Sequence, residues 1–342
     1  MKVLLKTLYI STEHINLSLE NSNIVLMHDK KLVAKLPLNN FEKIIIIECA
    51  NATIPLLVYC SEHKIQISFL SRNGTFKFMV EPPLSGNVLL REKQHIAHSN
   101  QNACLDYSRA FIAGKILNQI RLIKDYKKNH ALSLDVEKLN NVVTKLKKAI
   151  LSLQNGNSIE ELMGIEGISS AIYFDTFDDL IFQQREFFYF NGRNRRPPTD
   201  PVNALLSFMY SILTNRVSGS LKSVGLDSQM GFLHQNRPGR DSLACDLVEE
   251  LRPVLVDRFV LRLINKNLIK PTDFEIKETG EVKMKDSAFK VIFLQWDKFM
   301  QEEIRHDFLE ETVKQGLLPY VQSLLLSKAI RGELDSYPPY VR

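Results

Sequence analysis

The residues best suited to chemistry are one histidine and a group of carboxylates that follow it in the chain. His234 ends the motif Gly-Phe-Leu-His, and Asp246, Glu249 and Glu250 come after it on a segment with helical periodicity. Carboxylate oxygens and an imidazole nitrogen form a ligand set that suits Mg²⁺ or Mn²⁺. A hydrogen-bonded or solvated histidine beside helical acids fits the same pattern, so these residues alone leave both interpretations open.

A ridge of leucines orients the helix that carries these acids. Leu243, Leu247, Leu251 and Leu255 recur at every fourth position and predict a helix, over residues 242–264, whose apolar side faces the core. The three acids lie off this ridge and within about one helical turn of each other. The polar side of the helix is therefore the side on which a metal could bind.

Any further ligand must come from another part of the chain, and Glu166 is the best candidate. It lies in the motif Gly-Ile-Glu-Gly, just before a predicted helix over residues 168–189. Glycine neighbours allow close packing, and a carboxylate at a helix start can be directed away from the helix. The alternative is a first-turn glutamate that stabilises the helix dipole.

The net charge of the 342-residue chain is only +5, but its distribution is uneven. Residues 161–190 contain six acidic and one basic residue, whereas residues 191–240 contain seven basic and two acidic ones. The basic stretch includes five arginines in two short loops, namely Arg193, Arg195, Arg196, Arg237 and Arg240. Guanidinium groups bind phosphate in a bidentate manner, so we predict that these loops contact a polyanion. Solvated loops that form salt bridges with the acidic segment are the alternative.

The elements that must position these residues change in type near residue 84. Before it, short stretches rich in Val, Ile, Leu and Phe alternate with turn residues, which predicts strands, with one short helix over residues 54–61. Strands are predicted over residues 3–10, 15–19, 24–27, 32–36, 43–47, 65–70 and 75–80, with Asn73-Gly74 as the clearest hairpin turn. The sequence therefore predicts a small β-rich domain over residues 1–84.

After a linker that contains Pro82-Pro83, apolar residues recur at three- and four-residue steps, which is typical of helices. Asp200 before Pro201 is a strong helix start, because it places a capping side chain ahead of a first-turn proline. Helices are predicted over residues 139–153, 168–189, 200–217, 242–264 and 289–331, in addition to the segment that begins at residue 88. The predicted fold class is therefore α+β, with a larger all-α domain over residues 85–342.

The composition, with 44% hydrophobic and 24% charged residues, is that of an ordinary soluble globular protein. Four cysteines without a Cys-x-x-Cys pair argue against a zinc ribbon or a disulfide scaffold. The first residues do not follow the pattern of a signal peptide, and no apolar run approaches the ~18 residues that span a bilayer. We therefore expect a cytoplasmic protein that does not bind membranes.

Five motifs of this chain follow one another at sensible spacing. They are Gly-Ile-Glu-Gly at 164–167, the segment from Arg195 to Ser207, Gly-Leu-Asp at 225–227, Gly-Phe-Leu-His at 231–234, and Asp-Leu-Val-Glu-Glu-Leu-Arg-Pro at 246–253. In this order they resemble the universal CRISPR-associated endonuclease and integrase of spacer acquisition, in the form that accompanies type I systems. The resemblance covers nearly the whole chain.

The resemblance implies a divalent metal, Mg²⁺ or Mn²⁺, bound by the catalytic residues Glu166, His234 and Glu249. Asp246 lies one turn before Glu249 and is the reserve ligand, while Glu250 is expected to have a supporting role. The five arginines would hold DNA phosphates near the metal. Further contacts with the body of the duplex are expected from Arg121, Lys124, Lys127 and Lys128.

The resemblance also implies the reaction and the partners. The β-rich domain would form a homodimer, and two dimers would flank a dimer of a small CRISPR-associated adaptation partner. Each 3′-hydroxyl of a short foreign duplex would attack a phosphodiester of the CRISPR array, and the subunit alone would cut double-stranded and branched DNA. Two other classes stay open, namely a repair nuclease specific for branched DNA and a non-enzymatic DNA-binding scaffold.

Overall fold

The structure is a computed structural model that describes residues 6–10, 15–47, 51–70, 76–80, 88–194 and 197–342. The predicted Asn73-Gly74 turn, the predicted linker with its boundary at residue 84, and the side chains of Arg195 and Arg196 lie outside the described residues. Within these ranges no helix combines the length and the apolarity that a membrane span requires.

The N-terminal region is built mainly from strands. They are β1 (Lys6–Ile10), β2 (Asn16–Glu20), β3 (Asn23–His28), β4 (Lys31–Pro37), β5 (Phe41–Ile47), β6 (Asn51–Ala52), β7 (Gln66–Leu70) and β8 (Phe76–Val80), with helix α1 (Ile54–Glu62) between β6 and β7. One sheet has the order β1-β5-β7-β8, in which only the β7–β8 pair is antiparallel. The other has the order β4-β3-β2-β6. The β-rich N-terminal region and its short helix are thus confirmed.

The C-terminal region is mainly helical. Its helices are α2 (Val88–Ser99), α3 (Gln101–Asn129), α4 (Val136–Asn155), α5 (Ile159–Phe174), α6 (Pro201–Ser223), α7 (Ser242–Leu251), α8 (Arg258–Asn265), α9 (Asp286–Gln301) and α10 (Leu318–Arg331). Four short strands pair as two antiparallel hairpins, β9 (Phe274–Ile276) with β10 (Val282–Met284), and β11 (Glu303–His306) with β12 (Glu311–Lys314). The prediction of an all-α C-terminal domain was therefore wrong in this detail.

The run of four isoleucines on β5 joins the two regions. Ile44 and Ile46 point into the core of the N-terminal region, whereas Ile45 and Ile47 belong to the core of the helical region. A strand with apolar residues on both faces is expected where both faces are covered. Across the same junction, the ring of Tyr9 stacks on Phe293 with centroids 4.4 Å apart. The first sheet therefore packs against the helical region and helps to support it.

Two predicted helices have the wrong boundaries. The predicted helix over 168–189 in fact begins at Ile159, capped by Ser158, and ends at Phe174. Beyond it the buried Phe177 and Phe188 lie on turns, and their apolar spacing imitates helical periodicity. The predicted helix over 289–331 is divided into α9 and α10 by the β11–β12 hairpin, where Ile304 and Val313 are buried in a strand pattern.

Three helices position the residues singled out in the sequence. The long helix α3 packs against both α5 and α7, so residues on their inner sides meet. Between α7 and α8 the chain forms a π-helical turn, Arg252–Asp257. Pro253 explains it, because proline has no N–H to donate to the carbonyl of Glu249 four residues earlier. The widened turn thus begins directly beside Glu249.

Candidate metal and DNA-binding site

Glu166 and Glu249 lie on different helices and converge on one lysine, Lys115 of α3. The Nζ atom of Lys115 contacts Oε1 of Glu166 and lies 2.7 Å from Oε2 of Glu249. The hydroxyl of Ser170, one turn along α5, donates to the same oxygen of Glu166 at 2.8 Å. Glu166 lies in the middle of α5 and not at its start, which excludes the role of a first-turn glutamate.

Glu249 is a buried carboxylate between two cations. Its side chain is only 4% exposed, and its Oε1 accepts a hydrogen bond of 2.6 Å from Nη1 of Arg252. Burial raises the pKa of Glu249, but the charges of Arg252, Lys115 and His234 together lower it to about 2. Glu249 is therefore ionised at every pH at which the protein would work.

His234 is fixed in place by Asp246. Nδ1 of His234 lies 2.7 Å from Oδ1 of Asp246, whose side chain is fully buried. Because a carboxylate accepts, Nδ1 carries the hydrogen, and Nε2 is the nitrogen that remains for a metal or a substrate. Asp246 also accepts backbone N–H bonds from Phe232, Leu233 and His234, at 2.6, 3.0 and 2.9 Å. The same carboxylate thus orders the loop and orients the ring.

The glycine of the Gly-Phe-Leu-His motif allows this loop to approach α7. A Cβ atom at Gly231 would lie 2.8 Å from Cβ of Ser242 and 2.9 Å from Oδ2 of Asp246. Contacts this short are not tolerated, so any larger residue would push the loop away from the helix. The glycine of the motif therefore has a structural reason.

The chemistry of this group of residues fits a divalent metal. Two carboxylates converge on a cationic group, and Asp246 fixes the imidazole of His234 on a loop that packs closely against α7, the helix of Glu249. Hard oxygen ligands with one imidazole suit Mg²⁺ or Mn²⁺. Among the described residues no three His, Cys, Asp or Glu side chains are gathered tightly enough to enclose an ion, and the Lys115 ammonium lies between the two acids.

Glu250 faces away from this group, toward α10 and the C-terminal tail. Its Oε1 accepts hydrogen bonds from Nε2 of Gln322 at 2.7 Å and from the hydroxyl of Tyr337 at 2.8 Å. Burial raises the pKa of Glu250 to about 8, although these hydrogen bonds oppose the shift. Glu250 therefore has a structural role in this conformation.

The three arginines of this set that the structure describes, Arg193, Arg237 and Arg240, have different surroundings. Arg193 is held inside the protein, with hydrogen bonds to Asn203 at 2.6 Å and Ser207 at 3.0 Å and with its guanidinium over the ring of Tyr210. Arg237 is exposed and Arg240 partly exposed, on the loop that follows His234. Arg193 is thus committed to internal contacts, whereas Arg237 can reach a phosphate.

Lys115 belongs to the site but was not predicted from the sequence to do so. The feature that could have identified Lys115 is its inward position on α3. Its neighbours one turn away, Phe111 and Ile112, are fully buried. Arg252, the arginine of the motif at 246–253, also belongs to the site and was not predicted to do so. Its guanidinium lies over the ring of Tyr210, 5.0 Å from the centroid, while it binds Glu249.

Comparison with known proteins identifies the family. The family model described as CRISPR associated protein Cas1 matches residues 8–298. The chain belongs to the Cas1 family. A relative named CRISPR-associated endonuclease Cas1 1, from Chlorobaculum tepidum, is 39% identical over 341 residues, which cover 100% of this chain and 99% of the relative. Another, CRISPR-associated endonuclease Cas1 2 from Rhodospirillum rubrum, is 40% identical over 344 residues and covers 99% of both chains.

Solved structures share the Cas1 fold. A Cas1 protein from Thermotoga maritima superimposes with a TM-score of 0.81 at 24% identity, over 96% of this chain and 97% of that one. A casposase bound to an integration product gives a TM-score of 0.85 at 21% identity, over 98% and 94%. The mixed α+β architecture described above is therefore that of known Cas1 structures.

Proposed function

We propose that this protein is a metal-dependent DNA endonuclease and integrase that inserts short foreign DNA into a CRISPR array. The observation that carries the proposal is the convergence of Glu166 and Glu249 on one cation, beside a histidine fixed by Asp246. The names of the relatives, CRISPR-associated endonucleases of the Cas1 family, support the nuclease activity. The Cas1-like casposase bound to an integration product supports the integrase activity.

Glu166, Glu249 and His234 would hold Mg²⁺ or Mn²⁺, which when bound neutralises charge on the phosphate oxygens and stabilises the leaving oxygen. In the integration step a 3′-hydroxyl of the incoming duplex forms a new P–O bond while the P–O3′ bond of the repeat breaks. One phosphodiester replaces another, and the proton of the attacking hydroxyl ends on the released 3′-oxygen. With water as the attacking group, the same site would cut DNA.

The geometry restricts His234 to one of two roles. Its Nδ1 is bound to Asp246, so metal ligation and proton transfer would compete for Nε2 alone. We assign Nε2 to the metal, because a histidine that binds a metal through one nitrogen typically donates its other ring N–H to a carboxylate, as His234 does to Asp246. Arg237 and Arg240, on the same loop, would then hold phosphates beside it, and the family resemblance assigns the same role to Arg195 and Arg196.

The assembly is proposed on two observations. Solved complexes with this fold are described as Cas6-RT-Cas1–Cas2 complexes, which supports a small CRISPR-associated adaptation partner for this chain. β4 forms the edge of its sheet, where Leu32 is 61% and Val33 55% exposed, and an apolar edge strand is suited to a homodimer interface. Charge substitutions at Leu32 and Val33 should give a monomer in sedimentation. Deletion of the whole N-terminal region would be a poorer test, because it would expose Ile45 and Ile47.

The test of this function is one assay with two products. Wild-type protein and its adaptation partner are incubated with a labelled short duplex and a supercoiled plasmid that carries a repeat, and in parallel with a labelled branched DNA, each with and without Mn²⁺. Transfer of label to the plasmid only with Mn²⁺ is expected. Cutting of branched DNA without any transfer would favour the repair nuclease, and DNA binding without either product would favour the scaffold.

A further inference from the structure

Lys115 has an unusual position for a lysine. Its side chain is 7% exposed, and its ammonium touches both carboxylates of the proposed metal site. It contacts Oε1 of Glu166 and Oε2 of Glu249, so a single ammonium group is shared by one oxygen of each acid. The other oxygen of Glu249 is occupied by Arg252. A metal bound between the two acids would therefore need the place that Lys115 holds.

The charges of these four residues balance without a metal. Glu166 and Glu249 supply two negative charges, and Lys115 and Arg252 supply two positive ones. Asp246 adds a further negative charge, but both of its oxygens are engaged by the His234 loop. A divalent ion that entered beside both cations would be repelled, because like charges in a poorly solvated site interact strongly. One of the cations must move first.

The two cations differ in their freedom to move. Arg252 is fixed by its hydrogen bond to Glu249 and by its position over the ring of Tyr210. Lysine has a flexible four-carbon stem and a compact charge, and it binds phosphate as a point charge. Lys115 is thus the cation that can leave the two acids, and a DNA phosphate that enters the site is a suitable new partner for it.

We propose that Lys115 is a built-in counter-ion, which holds the cation position between Glu166 and Glu249 until DNA arrives and then pairs with a DNA phosphate. The inference rests on the proposed metal-dependent function and deepens it. Its consequence is positive coupling, because DNA removes the competitor of the metal. Wild-type protein should therefore bind Mn²⁺ weakly alone and much more tightly together with DNA.

The experiment measures Mn²⁺ binding from the electron paramagnetic resonance signal of free Mn²⁺. It uses full-length wild type, Lys115→Met and Lys115→Gln, with and without a short blunt duplex, and a titration of the duplex alone as reference. Lys290→Met is the matched control, because Lys290 is an exposed lysine within a helix, α9, and belongs to neither the proposed metal site nor the proposed DNA contacts. Lys115→Gln keeps an N–H donor near the acids, so a folded neutral variant is available even if methionine is not tolerated.

Without DNA, both Lys115 variants should bind Mn²⁺ at least tenfold more tightly than wild type and Lys290→Met. DNA should raise the affinity of wild type strongly and that of the variants little. Equal or weaker Mn²⁺ binding by both variants without DNA would overturn the role of Lys115 while leaving the metal site intact. If neither wild type nor the variants took up Mn²⁺ beyond the duplex reference, the proposed metal-dependent function would fall as well.

Discussion

Asp246 holds His234 at two points at once. Its Oδ1 accepts the ring Nδ1–H of His234 at 2.7 Å and the backbone N–H of the same residue at 2.9 Å. Its Oδ2 accepts the N–H groups of the two preceding residues. Asp246 was the reserve metal ligand in the sequence analysis, but with both oxygens engaged it acts in this structure as the positioning residue of His234.

The first prediction concerns this positioning. Asp246→Asn removes the charge that orients the ring and should lower Mn²⁺-dependent DNA cleavage by about 10–100-fold, as loss of an outer partner of a metal-binding histidine does. Asp241→Asn is the matched control, since Asp241 accepts from Ser218 and Ser228 near the same loop. Cleavage by Asp246→Asn at the wild-type rate, with an unchanged affinity for Mn²⁺, would show that the contact is dispensable.

The second prediction distinguishes Arg237 from Arg193, which were both predicted from the sequence to contact DNA. Arg237→Ala should weaken DNA binding and reduce the slope of log K against log salt by about 1, because an exposed phosphate contact is lost. Arg193→Ala should leave that slope unchanged and instead destabilise the fold by roughly 1–3 kcal/mol, because Asn203 and Ser207 lose a charged partner. Fluorescence anisotropy over a salt series and urea unfolding measure the two effects. A reduced salt slope in Arg193→Ala would show instead that Arg193 contacts DNA.

The third prediction concerns the glycines of α5. A Cβ atom at Gly164 or Gly167 would meet nothing within 4 Å, and both positions are exposed inside a helix. Replacement of either by alanine should raise the free energy of unfolding by up to about 1 kcal/mol. Gly114→Ala provides the contrast and should destabilise, because its Cβ would lie 2.8 Å from Cβ of Pro339. Urea unfolding in which all three variants behaved alike would contradict this packing.

The fourth prediction concerns pH. The folded-state pKa of Glu250, about 8, lies above its ordinary value of 4.5, so the folded state binds an additional proton between these values. The contribution of Glu250 to stability is thus fully present below about pH 4.5 and is lost as the pH rises through about 8, by up to about 1.4 kcal/mol per pH unit. In the neutral variant Glu250→Gln this loss should be absent. The difference in unfolding free energy between the two proteins, measured from pH 5 to 8, should therefore change in favour of the variant, and a constant difference would contradict the assignment.

Much of the fold could be predicted from local pattern. The strand at 43–47 lies where a short apolar run indicates one, and the helix capped by Asp200 lies where capping and a first-turn proline indicate one. The side chain of Asp200 accepts the N–H of Asn203 at 2.7 Å, as an N-cap should. Local signals of this kind need no knowledge of the remainder of the chain.

The predictions that were wrong or missing have one physical cause, because each depends on tertiary contacts. The buried aromatic residues at 177–190 are apolar because they fill the core, not because they belong to a helix. Lys115 could not be paired with Glu166 from spacing alone, because their contact depends on how α3 packs against α5. The ligand triad was available only through family resemblance, since Glu166, His234 and Glu249 come from separate elements.

The most direct test of the central claim is Mn²⁺-dependent strand transfer by Glu166→Ala, His234→Ala and Glu249→Ala. Each is compared with wild type and with Glu160→Ala and His95→Ala, which alter exposed residues on α5 and α2. The measured quantity is the initial rate at which a labelled duplex joins a repeat-bearing plasmid. Loss of transfer in all three site variants, with wild-type rates in both controls and unchanged folding, is the predicted result. Wild-type transfer in any of the three would remove that residue from the metal site and contradict the proposed triad.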